Sequence, residues 1–211
     1  MSAYSDYLNF TRRLLHDSNG QFWTTSALLD YINRARRRVV RDTGAYRNLL
    51  TRNLVVDQET YLLDTGFTVS TPVLDVVNLT VHWGNSRISL AYLPWSRFNS
   101  MARYWQNLRG RPTVFSVYAY TTVYIQPRPD QAYVCEWDCV VQPPDIVDET
   151  TVEVIPATFN ELPPFYAARL AKLQEQSYGE AEAFNALYEQ EKARAIGSAF
   201  TRRVRNPYAP R

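Results

Sequence analysis

The sequence predicts an α+β protein: a helical bundle of two N-terminal helices and one long C-terminal helix, with an inserted antiparallel β-subdomain and an extended C-terminal tail. Changes of period carry that prediction. Apolar residues recur at helical spacing to about residue 52, alternate with a period of two over about 53–148, and return to helical spacing after a run of prolines. A last stretch without acidic residues, rich in arginine and proline, ends the chain.

Each element has its own signals. Tyr4, Tyr7, Leu8, Phe10, Leu14 and Leu15 fit a first helix from Ser2 to about His16, capped by Ser2 or Ser5. Asp17, Ser18, Asn19 and Gly20 then make a turn, so the next helix should pack antiparallel to the first. That second helix carries the strongest signals in the chain. Thr24 or Thr25 can cap its start, Gly44 can supply a left-handed C-cap, and Leu28, Leu29, Ile32, Ala35, Val39 and Val40 form one apolar stripe. Arg34, Arg36, Arg37, Arg38 and Arg41 are expected on its flanks and outer face, offered to something outside the bundle.

In the β-region, Leu54, Val56, Tyr61 and Leu63 bracket an acidic turn, and Val73 to Trp83 is β-branched and apolar. Gly84, Asn85 and Ser86 form a tight turn into Arg87 to Tyr92. A short helix over 94–108 interrupts, with Phe98, Met101, Ala102, Trp105 and Leu108 as its apolar face. Strands resume at Thr113–Tyr120, Val123–Gln126 and Tyr133–Val141, giving a meander or small barrel of about five or six strands. The resulting divisions are an N-terminal helical hairpin (1–52), the β-rich insertion (53–148), a linker with the C-terminal helix that completes the bundle (149–196), and a basic tail (197–211). Gly179 marks a kink or break in the last helix.

Composition bounds the function. A net charge of +2 leaves no global field to drive the chain onto nucleic acid. Only Lys172 and Lys192 are lysines among 23 basic residues, and arginine with its planar fork favours protein interfaces and phosphate alike. The 15 tyrosines and 5 tryptophans suit wet contact surfaces as well as a core. The N-terminus lacks the long apolar core of a secretory signal, and no run of about 18 apolar residues suggests a membrane span. Cys135 and Cys139, about 13 Å apart on one face of an extended strand, are too distant for a disulfide and read as reduced structural thiols.

Catalytic constellations are absent from the pattern. There is no phosphate-cradling glycine loop, no Gly-x-Ser-x-Gly elbow and no His-Glu-x-x-His. Asp57 with Glu59, and Glu136 with Asp138, read as exposed carboxylates on strand faces rather than acid–base pairs. His16 is expected at a helix end and His82 as a hydrogen-bonded structural histidine, so no metal site, cofactor or catalytic residue is expected. The arginine row and the tail could contact phosphates, which keeps a small nucleic-acid-binding accessory protein as an alternative. Against it, Glu175, Glu180, Glu182, Glu189 and Glu191 make the last helix acidic. Basic and acidic helices suit a ring in which Arg34, Arg37, Arg38 and Arg41 of one subunit meet Glu182 and Glu189 of the next.

The second helix (Phe22, Trp23, Thr24, Leu28, Leu29, Tyr31, Ile32, Asn33, Ala35), the proline turn Tyr124–Asp130 (YIQPRPD), the Pro-Pro linker and the helix from near Leu162 resemble, in order and layout, the head-to-tail adaptor proteins of tailed bacteriophages. The resemblance implies a dodecameric ring beneath the portal protein in the virion neck, assembled in the host cytoplasm, with DNA passing unread through the bore. It also implies that the tail docks on the portal, with Arg202, Arg203, Arg205 and Tyr208 as anchors, while the β-rich part faces a tail or nozzle protein. Another neck or tail-completion ring protein is the alternative within this class.

Overall fold

The computed structural model describes residues 3–63, 65–67, 72–105 and 107–200. The chain divides into two compact units, Met1–Tyr46 with Pro143–Arg211, and Arg47–Gln142.

In the first unit, α1 (Ala3–Leu14) and α2 (Thr25–Thr43) are followed, after the whole second unit, by α4 (Leu162–Gln174) and α5 (Tyr178–Phe200). Helix α2 starts and stops where its capping residues dictate. Thr24 Oγ1 accepts from the Ala27 N–H at 3.3 Å, and Gly44, at φ 62°, donates its N–H to Val40 O. Leu28, Ile32 and Ala35 are fully buried against Tyr7, Leu8, Trp23 and the alanine stripe Ala167, Ala168 and Ala171 of α4. Those small side chains let the α2 and α4 backbones approach closely.

The C-terminal helix is two helices, not one. The break falls at Glu175–Ser177, just before Gly179, with Gln176 at φ 62°. Lys172 Nζ spans it, 2.8 Å from Glu175 and 2.9 Å from Glu180. Helix α5 then runs through Gly197 to Phe200, so the expected tail from 197 begins inside a helix, and residues 201–211 lie outside the described residues. At the other end, α1 closes at Leu14, and His16 takes up a left-handed conformation beyond it at φ 56°.

Among its described residues, the second unit holds eight strands in two four-stranded sheets, more than the expected five or six. These are β1 (Arg47–Leu54), β2 (Thr60–Leu62), β3 (Val73–Trp83), β4 (Ser86–Ser89), β5 (Ala91–Tyr92), β6 (Val114–Tyr118), β7 (Thr122–Gln126) and β8 (Tyr133–Val141). One sheet has the order β1-β8-β3-β4 and the other β2-β7-β6-β5. The chain changes sheet at the buried Leu90. Its N–H still bonds Leu79 O of β3, whereas the next N–H, of Ala91, bonds Thr113 O. The β5–β6 pair is parallel, and α3 (Trp95–Trp105) lies in its connection, because parallel neighbours cannot be joined by a tight turn. This helix stops three residues short of the expected Leu108, which is half exposed. The strand β1 begins at Arg47, within the stretch expected to belong to the helical hairpin.

Strand β8 shows why period two organises this unit. Tyr133, Cys135, Trp137 and Cys139 all point to one buried face, with Tyr61 and Phe67 packed edge-on to Trp137. The opposite face carries Glu136 and Asp138, which arginines neutralise instead of leaving them solvated: Arg87 binds Glu136 and Arg47 binds Asp138. His82 Nε2 lies 2.9 Å from Glu136 Oε1, an ion-pair distance without hydrogen-bond alignment. Asp57 and Glu59 are held likewise by Arg109 and Arg128.

Candidate functional site

The arginine row of α2 divides into two groups. Arg36, expected on the outer surface, is completely buried, since it lies four residues after Ile32 and three before Val39, on the apolar stripe itself. Its guanidinium grips Glu153 through Nη2 at 2.6 Å and Nε at 3.1 Å, and donates from Nη1 to Pro144 O at 2.6 Å. Asn33, one turn earlier, pairs with the backbone of Ile146 in both directions, its Nδ2 donating to the carbonyl and its Oδ1 accepting from the N–H.

Glu153 is held from its other side too, because Oε1 accepts from the Val154 and Ile155 N–H groups. Burial pushes its carboxyl up, but the Arg36 and Ile155 hydrogen bonds outweigh burial and leave it below the usual carboxylate range. Tyr7, whose hydroxyl donates to Asn160, is raised well above an ordinary phenol, first by burial and then by the Glu153 charge. What read as a linker is therefore a strap tied along α2 by a buried, multiply bonded ion pair.

The remaining arginines do face outward, but most are engaged within the chain. Arg34 meets Asp30 at 2.8 Å, Arg37 forks onto Asp145 at 2.6 and 2.8 Å, and Arg38 reaches Asp42 at 3.0 Å. Asp42 also receives the Tyr188 hydroxyl and Lys192. Arg41 is exposed and has no ion pair among the described residues. On α5, Glu189 pairs with Lys192, and Glu182 has only a 3.4 Å hydrogen bond from Asn185. The structure thus keeps Arg34, Arg37, Arg38 and Arg41 on one helix and Glu182 and Glu189 on another. Arg202, Arg203, Arg205 and Tyr208 lie outside the described residues.

The β-unit carries an aromatic surface that no sequence motif marks as a whole. Trp95 lies 4.6 Å, ring to ring, from both Tyr118 and Tyr124, and the exposed Tyr92, packed edge-on to Phe115, lines the same depression as Trp95 and Tyr118. At the tip of the β6–β7 hairpin, Ala119 and Tyr120 both adopt positive φ, at 51° and 58°, and Tyr120 is 82% exposed. Two non-glycine residues in this sparsely allowed region, one of them a large exposed ring, suit a contact point. The signal was the short Tyr-Ala-Tyr-Thr-Thr link between two β-branched runs.

Among the described residues, no group of three or more His, Cys, Asp or Glu side chains could hold a metal ion, and no helix is long and apolar enough to cross a membrane. Both cysteine thiols are buried and pushed up to about 12, chiefly by desolvation, which makes them poor nucleophiles. The chemistry on display is that of planar cations, carboxylates and aromatic rings arranged for contact.

The family model of the SU10 adaptor protein matches residues 2–211. The chain belongs to the SU10 adaptor family. No curated protein matches it. The match of this phage adaptor runs through both units, so the helical unit and the β-unit are both part of the family pattern. Within the adaptor, Asn33, on the motif of the second helix, is a strap-binding residue, while Phe22 at its start is 70% exposed.

Proposed function

We propose that this phage adaptor is a non-catalytic ring subunit of the virion neck, joining the portal protein to the tail around a channel through which DNA passes unread. The family match over residues 2–211 carries this reading. The ring is a dodecamer of heterologous contacts, in which α2 of one subunit faces α5 of the next. Arg41 and Glu182, which have no ion pair among the described residues, contribute most to that contact, and Arg34, Arg38 and Glu189 exchange partners at its edge. Arg37 contributes least, because its fork is already filled by Asp145.

In this reading the arginine-rich segment 201–211 anchors the subunit to the portal through Arg202, Arg203, Arg205 and Tyr208, and the aromatic surface around Trp95 and Tyr120 faces the tail or nozzle protein. Deleting 201–211 while keeping α5 whole should abolish co-sedimentation with portal rings and leave the circular dichroism spectrum unchanged. Undiminished co-sedimentation of the shortened chain rules out the tail anchor.

A further inference from the structure

A depression of about 600 Å³ in the β-unit is lined by Asp75, Val77, Tyr92, Trp95, Tyr118 and Tyr120 among others. Irregular backbone supplies two parts of its rim. Strand β3 shifts register against β8 twice, between Val73 and Asp75 and between Val76 and Asn78, and Asp75 and Val77 stand exposed on either side of the buried Val76. The β6–β7 tip brings the second part, with Ala119 and Tyr120 at positive φ. Such departures from regular strand geometry re-aim side chains next to functional surfaces.

The charge of this depression is of one sign. Asp75 is the one charged side chain among the described residues that line it. Its Oδ1 accepts from the Val76 N–H at 2.8 Å, and the carboxylate has no ion pair among the described residues. Arg97, two residues after Trp95, sits about 200° further round α3 and does not line the depression. Elsewhere the chain covers its rings with its own cations: Arg111 lies over Trp83, Arg169 over Tyr166, Lys192 over Tyr188 and Arg52 over Tyr61. Tyr92, Trp95, Tyr118 and Tyr120 have no such cation among the described residues. Ring faces are electronegative and the carboxylate adds a full charge, so the depression is complementary to a planar cation that stacks.

We propose that this depression is a socket for an arginine side chain of the tail or nozzle protein, its guanidinium bound to Asp75 and set against the rings of Trp95, Tyr118 and Tyr120. The choice of partner rests on the tail-facing reading of this surface. The chemistry of the socket stands on its own residues and is tested without the partner.

Titrating the end-blocked tripeptide Gly-Arg-Gly into the isotope-labelled free subunit should shift the Trp95 indole resonance, assigned by its loss in Trp95→Phe, to saturation. The same tripeptide with citrulline, the neutral isostere of arginine, should leave that resonance in place. Asp75→Asn, which keeps an acceptor for the Val76 N–H, should weaken the arginine response about tenfold, the scale of one lost charge-assisted contact. Tyr120→Gly should weaken it about threefold without unsettling the hairpin, because glycine accepts the φ of 58° more readily than tyrosine. No saturable shift, a citrulline response equal to that of arginine, or a response untouched by Asp75→Asn overturns the socket. In the phage, Asp75→Arg, confirmed as folded by circular dichroism of the free subunit, should block tail attachment, and second-site suppressors should replace an arginine of a tail protein by Asp or Glu. Normal tail attachment by that variant overturns the tail partner even where the socket binds arginine, and suppressors confined to the adaptor overturn it in favour of a second copy.

Discussion

Arg36 is where the arginine row is most easily misread. A guanidinium in the middle of an apolar stripe must be paired or excluded, and the helical phase of Ile32 and Val39 already placed it inside. Its partner was not legible, because Glu153 is 117 residues away in a stretch without periodicity. Removing one member of such a buried pair strands the other, so Arg36→Ala should lower unfolding free energy by about 3–5 kcal/mol in urea titrations. Glu153→Gln should also destabilise at neutral pH. Because Glu153 is held below its ordinary value of 4.5 in the folded protein, its stabilisation is full above that value and fades as pH falls through the folded one. The stability gap between wild type and Glu153→Gln should therefore narrow below about pH 4.5. A gap that stays constant with pH shows that the ion pair is not the source. Cys135 and Cys139 give a second test, since thiols pushed up to about 12 by burial should stay silent to a disulfide-exchange dye until the protein unfolds. Rapid native-state labelling contradicts that placement.

Helix α2 was legible as an element because local chemistry sets both its ends. Thr24→Ala, which removes the acceptor for Ala27 N–H, should cost about 1 kcal/mol in thermal or urea unfolding. No measurable change shows that tertiary packing alone holds the helix start. Strands β3 and β8 were equally legible, as runs of β-branched and aromatic residues with a buried face. The break between α4 and α5 ends two residues before Gly179, because Ser177 and Glu180 have the spacing of a capping box that begins a new helix. Sheet membership was not legible, because the change at Leu90 is a matter of which partner the next N–H finds, and alternation along a strand carries no information about its neighbours.

At the scale of the whole molecule, the two ends of the chain and the strap build one unit, while residues 47–142 build the other. Helical periodicity at both ends pointed to a shared bundle, and the order of motifs pointed to the phage adaptors. The role of the strap and the aromatic cluster of Trp95, Tyr118 and Tyr124 emerge only in three dimensions, because they depend on residues brought together from distant segments. For the assembled particle, the ring reading makes a demand that no isolated subunit can meet. Quantitative mass spectrometry of purified virions, with this adaptor counted against the portal protein, should give about one copy per portal subunit, as matched or near-matched rings require. Absence of the adaptor from intact particles contradicts the structural role outright.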